Sequence, residues 1–180
     1  MSTTGPSSDR VWLDACAIAI LTRSVPGLVS LCLSWSAHSG LAAGTLVLAV
    51  WSDVLAGWIA RRKGWTRQAF HTQLEGFVDF TCFIWAPVQL LLTVDSEILI
   101  WIAAAIFTLA GMFRIARFNT EGLVNGRYRG LPVTYNGYLI PLTVLGTHYL
   151  DARYSAQLCA GVMLIVSALM VSSRLTVPEL

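Results

Sequence analysis

The chain has 180 residues, of which 56% are hydrophobic and 12% charged, and its mean hydropathy is +0.65. A soluble domain carries about twice that charged fraction, so the composition points into a membrane. The length suits one helical bundle over residues 1–180, and the net charge of +2 is too small for a nucleic-acid-binding surface.

The opening segment MSTTGPSSD contains no Lys or Arg, unlike the basic start of a cleavable signal peptide, so the amino terminus is expected to be retained. Residues 1–17 read as a polar tail, with Arg10 to Ala19 either an interfacial amphipathic helix or an extension of the first span. A spanning helix needs about 20 mostly apolar residues. Six stretches approach this: Ile18–Trp35, Leu41–Ala60, Gly76–Val94, Ile98–Met112, Val133–Leu150 and Ala156–Val171. The predicted fold is therefore all-α, an integral membrane bundle of six transmembrane helices. Cys16, Cys32, Cys82 and Cys159 all lie in apolar stretches and form no CxxC pair, so they read as small core hydrophobes.

Charge in the loops gives an orientation. Arg61, Arg62, Lys63 and Arg67 lie between spans two and three, and Arg114, Arg117, Arg127 and Arg129 between spans four and five. Arg10 and Arg174 lie near the two ends, while the opposite loops hold one basic residue, Arg153. The positive-inside rule predicts both termini and both basic loops on the cytoplasmic side, which an even number of spans satisfies.

Charged residues within spans are costly and face a bundle interior or a watery cavity. Arg23 lies in the first span, Asp53 in the second, and Glu75 and Asp79 at and inside the third. Positions 53, 56, 57 and 60 share one helix face, which reads Asp53, Ala56, Gly57, Ala60 and lets a ligand or helix come close. His71, Glu75 and Asp79 recur every fourth residue on one face of the next helix. Carboxylates that converge from two antiparallel helices need a positive partner, and hard divalent cations are suited to it. The alternative is structural: Asp53 paired with Arg61 or another basic residue, and Glu75 an ordinary helix-start acid.

The segment DVLAGWIAR-RKGWTRQAF-HTQLEGFVD resembles the signature of the CDP-alcohol phosphotransferase family, D-x2-D-G-x2-A-R, eight or nine residues, then G-x3-D-x3-D. Asp53, Gly57, Ala60, Arg61 and Asp79 match, and FTCFIWAP ends on a similar Ala86-Pro87. Downstream, FRIARFNTEG and YRGLPVTYNG are similar to the R-x-A-R-F-N and G-L-P segments of bacterial phosphatidylserine synthases. Arg114, Arg117, Asn119 and Gly130-Leu131-Pro132 are in register. Three positions depart from the signature: Ala56 stands for its second Asp, His71 for its second Gly and Glu75 for its third Asp.

The resemblance implies an enzyme of phospholipid biosynthesis in a bacterial inner membrane, with its active site facing the cytoplasm. It would move a phosphatidyl group from CDP-diacylglycerol, or a similar CDP-alcohol, to a small hydroxyl acceptor such as serine and release CMP. Asp53, Glu75 and Asp79 would hold Mg2+ or Mn2+, with Asp79 also the base. Asp53, Gly57, Ala60 and Arg61 would bind CDP, and Arg114 and Arg117 the acceptor or phosphate. His71 could offer a nitrogen ligand from the same helix face, but imidazole suits magnesium poorly, so it reads as a structural or loop-facing histidine. Dimerisation is common in that family, so a homodimer is allowed. The competing expectation, motivated by Ala56, is an impaired relative that binds a nucleotide-lipid or a partner subunit. A small transporter or channel would leave the A-R and ARFN matches unexplained.

Overall fold

The computed structural model describes residues 13–65, 68–95 and 97–178, the side chains of Ala152 and Arg153 excepted. The predicted interfacial helix lies outside the described residues up to Trp12; from Ala15 onward the chain is already the first helix. Arg10 and Arg67 also lie outside them.

The chain folds as a bundle of helices. α1 (Ala15–Arg23) and α2 (Val25–Trp35) together make the first span, and α3 (Ser39–Lys63) the second. α4 (Ala69–Phe80), a π-helical segment (Thr81–Trp85) and α5 (Ala86–Leu92) form one continuous third span. α6 (Ile98–Glu121) is the fourth, and α8 (Ala152–Val171) supplies another over Tyr154–Val171. The prediction of six long spans is corrected at Val133–Leu150. There a 3-10 turn (Val133–Tyr135) leads into α7 (Asn136–Thr147), only 12 residues long with Pro141 inside it. Among the described residues five helices are long and apolar enough to cross a membrane, and the protein is an integral membrane protein. α7 packs against α3, α5 and α8 within the bundle.

The π-helical segment has a local cause. Pro87 has no N–H to give the carbonyl of Phe83 four residues back, and the Ala86 N–H reaches instead to Thr81. The freed Phe83 carbonyl accepts a bond from the Asn136 side-chain amide at 2.9 Å. Asn136 is fully buried, so the bond forms where no water competes. The Ala86-Pro87 match of the sequence is thus the point where α7 is fastened to the third span.

Both ends of the described chain gather at one end of the bundle. β1 (Arg127–Arg129), after α6, pairs antiparallel with β2 (Thr176–Pro178), after α8. α7 and α8 therefore lead the chain away from that end of the bundle and back to it. Asp14, which caps α1, meets His71 in the first turn of α4. The same end carries Arg61, Arg62 and Lys63 in the last turn of α3, which stops at left-handed Gly64 (φ 60°). Cys16, Cys82 and Cys159 are buried, as small core residues should be, whereas Cys32 faces outward.

Replacing Asn136 by Leu should leave the Phe83 carbonyl unpaired and lower stability by about 0.5–2 kcal/mol, the range of interhelical hydrogen bonds in membranes. Unfolding of purified protein in mixed micelles with increasing SDS checks it.

Candidate active site

The end of the bundle that carries the basic residues encloses a cavity of about 460 Å³. α3 presents Asp53, Ala56, Gly57, Ala60 and Arg61 to it, so the face expected from helical spacing is the face that lines the cavity. Glu75 and Asp79 line it from α4, Arg114 and Phe118 from α6, and Arg23 from α1. The turn before α7 (Pro132 to Tyr135), with Tyr128 and Pro178, closes another side. Small side chains at 56, 57 and 60 keep the α3 wall low.

Arg23 decides the electrostatics. It sits at the carboxyl end of α1, which packs on both α3 and α4. Its guanidinium is ion-paired with Asp53 through Nη1 and donates from Nη2 to Asp79 at 3.1 Å. The three side chains are 10%, 19% and 24% exposed, so the group is largely withdrawn from solvent. The Arg23 Nε–H is buried and has no acceptor among the described residues. Of the two sequence alternatives for Asp53, pairing with a basic residue is the one realised, and the partner is Arg23 rather than Arg61. Sequence reasoning located Arg23 inside a span but gave it no role; a charge at that depth was the signal.

The metal set does not form as expected. Asp53, Glu75 and Asp79 line one cavity, yet among the described residues no group of three or more His, Cys, Asp or Glu side chains is arranged to hold an ion. The physical reason is the guanidinium standing between Asp53 and Asp79. Ala56, where the signature has an acid, faces the same cavity and offers no ligand atom. The residues present do not fit a divalent ion in this arrangement.

The downstream motif is corrected as well. Arg117, expected to grip acceptor or phosphate, donates to the carbonyls of Arg129 (2.9 Å), Val171 (3.1 Å), Met170 (3.2 Å) and Ser172 (3.4 Å). It thereby caps the carboxyl end of α8, where unsatisfied carbonyls and the helix dipole favour a cation. The Leu131 N–H takes the Leu169 carbonyl at 3.0 Å. Gly130 makes this approach feasible, since its φ is +75° and a Cβ there would collide with the Met170 carbonyl. Arg114 is buried, donates from Nε to the Leu131 carbonyl at 3.2 Å, and lies near the Phe118 and Tyr128 rings. It still lines the cavity, so of the two arginines only Arg114 remains a candidate for ligand contact. Both sit on α6 itself, because that helix runs on past Met112 to Glu121.

His71 is structural. Its Nδ1 accepts from the Gln68 N–H at 3.3 Å, which leaves Nε2 to donate to Asp14 Oδ1 at 3.0 Å. Asp14 Oδ1 also caps α1 by accepting from the Ala17 N–H at 2.8 Å. That backbone bond, helped by His71, holds the Asp14 carboxyl below its ordinary 3.8.

No protein-family model matches the chain. Two curated proteins resemble it. One is an archaetidylserine synthase of Methanothermobacter thermautotrophicus, 29% identical over 82% of this chain and 62% of its own length. The other is a CDP-diacylglycerol–serine O-phosphatidyltransferase of Methanocaldococcus jannaschii, 34% identical over 53% of this chain and 46% of its own length. The chain spans less than two thirds of the length of either relative. The cavity has the five residues that match the signature segment, Asp53, Gly57, Ala60, Arg61 and Asp79, on its wall, and Arg23 reaches the same wall from a helix that precedes that segment.

Two outcomes test these roles. Arg117→Ala should lower unfolding stability by about 2 kcal/mol, the scale of hydrogen bonds to a charged group, with Arg117→Lys recovering only part because one ammonium cannot serve four carbonyls. Asp14, with its lowered carboxyl, stabilises the fold above the ordinary carboxylate range and loses that contribution as pH falls through its folded value. Acidifying from about pH 5 to about pH 3 should therefore lower the melting temperature of the natural protein more than that of Asp14→Asn.

Proposed function

We propose that this chain is a membrane CDP-alcohol phosphotransferase that moves a phosphatidyl group from a CDP-diacylglycerol-like donor to a small hydroxyl acceptor, serine first among them, and releases CMP. The observation that carries the reading is the shared cavity: five signature-matched residues, Arg61 among them, and two further arginines, Arg23 and Arg114, line one opening at the basic end of an apolar bundle. The names of both relatives support it, since each is named for synthesis of a serine-linked lipid. The apolar outer faces would hold the donor's hydrocarbon chains while the cavity admits its nucleotide and the polar acceptor.

In the reaction the acceptor hydroxyl oxygen forms a bond to the lipid-side phosphorus. The bond from that phosphorus to the bridging diphosphate oxygen breaks, and CMP leaves with the electron pair. Asp79 takes the hydroxyl proton, Arg61 and Arg114 face the diphosphate charge, and Gly57 and Ala60 let the nucleotide lie close to α3. No step is assigned to a divalent ion. We place the basic end of the bundle, and with it the cavity and both termini, on the cytoplasmic side of a bacterial inner membrane, with α7 completing six passes. The gathering of basic residues at that end supports this orientation.

A second reading has an observation of its own in Ala56 and the Arg23 bridge: a relative that binds the nucleotide-lipid without turning it over. Purified full-length protein in lipid nanodiscs, given CDP-diacylglycerol and labelled serine with and without Mn2+, separates the two. The enzyme reading expects CMP and labelled lipid in equal amounts, and at least about a hundredfold loss in Asp79→Asn. CDP-diacylglycerol binding with no CMP released to any small alcohol would establish the second reading instead.

A further inference from the structure

A guanidinium placed between two carboxylates that a divalent ion would otherwise share asks what the site does with cations. Arg23 reaches both Asp53 and Asp79 from a third helix. An arginine so far inside a span is retained only where its charge is matched. The match extends to the whole site. The charged residues on the described cavity wall are Arg23, Arg61 and Arg114 against Asp53, Glu75 and Asp79, three of each sign. A divalent ion set beside the Arg23 guanidinium would meet a fixed positive charge in a poorly screened pocket. Ala56 removes a carboxylate ligand at the same wall. The buried Arg23 Nε–H, without an acceptor among the described residues, is a donor that a phosphate oxygen can use.

We propose that Arg23 is a resident cation that takes the place of a divalent ion between Asp53 and Asp79, so that this site receives its diphosphate ligand without a metal. The diphosphate half rests on the CDP-alcohol reading above; the exclusion of metal does not. The guanidinium neutralises the two acids in the resting protein and presents a fixed, planar set of donors toward the cavity. Arg23 is here a binding and positioning residue.

Two measurements on the full chain in nanodiscs test the two halves separately. In the first, Mn2+ is titrated without nucleotide and bound ion is read by electron paramagnetic resonance. The natural protein should hold no stoichiometric Mn2+, Arg23→Lys should behave likewise, and Arg23→Gln combined with Ala56→Asp should bind Mn2+ at least about tenfold more tightly. Stoichiometric Mn2+ in the natural protein that is lost in Asp79→Asn would overturn the proposal. So would a folded double variant that still takes no ion. Should that variant not fold, the melting temperature of the natural protein decides: it should be equal in EDTA and in Mn2+, and a rise in Mn2+ alone would overturn the proposal. In the second measurement CDP binding is followed by calorimetry. The affinity should be the same in EDTA and in Mn2+ and should fall at least about tenfold in Arg23→Gln. Binding seen only with Mn2+ would overturn metal-free recognition. No CDP binding under either condition would remove the CDP-alcohol reading and the diphosphate half together, while the Mn2+ titration still decides whether Arg23 holds the cation position.

Discussion

Opposite charges inside a low-dielectric bundle must find one another, and the rest of this structure is arranged around one such meeting. Arg23 on α1 joins Asp53 on α3 and Asp79 on α4. None of the three could be carried this deep alone. Their convergence fixes how α1 seats against its neighbours and puts the centre of the cavity where three helices meet. It also lets two acids from separate helices face the same guanidinium.

Around that centre, backbone groups released from regular helices are taken up by side chains from elsewhere. Pro87 frees the Phe83 carbonyl, and Asn136 takes it. The carboxyl end of α8 exposes carbonyls, and Arg117 and the Leu131 N–H take them. Inside the bundle the Phe83 carbonyl has no water to fall back on. The compensations are therefore the joints of the molecule: Asn136 ties α7 to the third span, and Arg117 ties α6 and β1 to α8. Leu131, held by Arg114 from one side and by Leu169 from the other, brings the turn before α7 over the cavity. Motif residues that look like ligand contacts in a linear sequence thus serve in part as the frame for the site.

Much of the site was legible without coordinates. Helical spacing identified the Asp53-Ala56-Gly57-Ala60 face and the His71-Glu75-Asp79 row, because 3.6 residues per turn is a local property of the chain. The first of these faces lines the cavity as a unit. The second divides: Glu75 and Asp79 face the cavity, while His71 is buried against Asp14. Arg117 illustrates the opposite case. Its neighbours, Arg129 and the carbonyls of α8, lie 12 and more than 50 residues along the chain, and no periodicity within α6 announces them.

The sequence by itself determined that this is a membrane helical bundle, which end of it is basic, and which residue types stand along each helix face. Those follow from composition, hydropathy and helical period, all of which act over a few turns. Tertiary structure alone decided that α7 is short, that Arg117 is a helix cap, and that the partner of Asp53 and Asp79 is Arg23. Each of these depends on which distant groups remain unsatisfied once the helices pack, and a buried charge or carbonyl is answered by whatever side chain the packing brings within reach. Ala56 could be read as a gap in a motif; only the packed bundle put a cation from another helix on the wall of the same cavity.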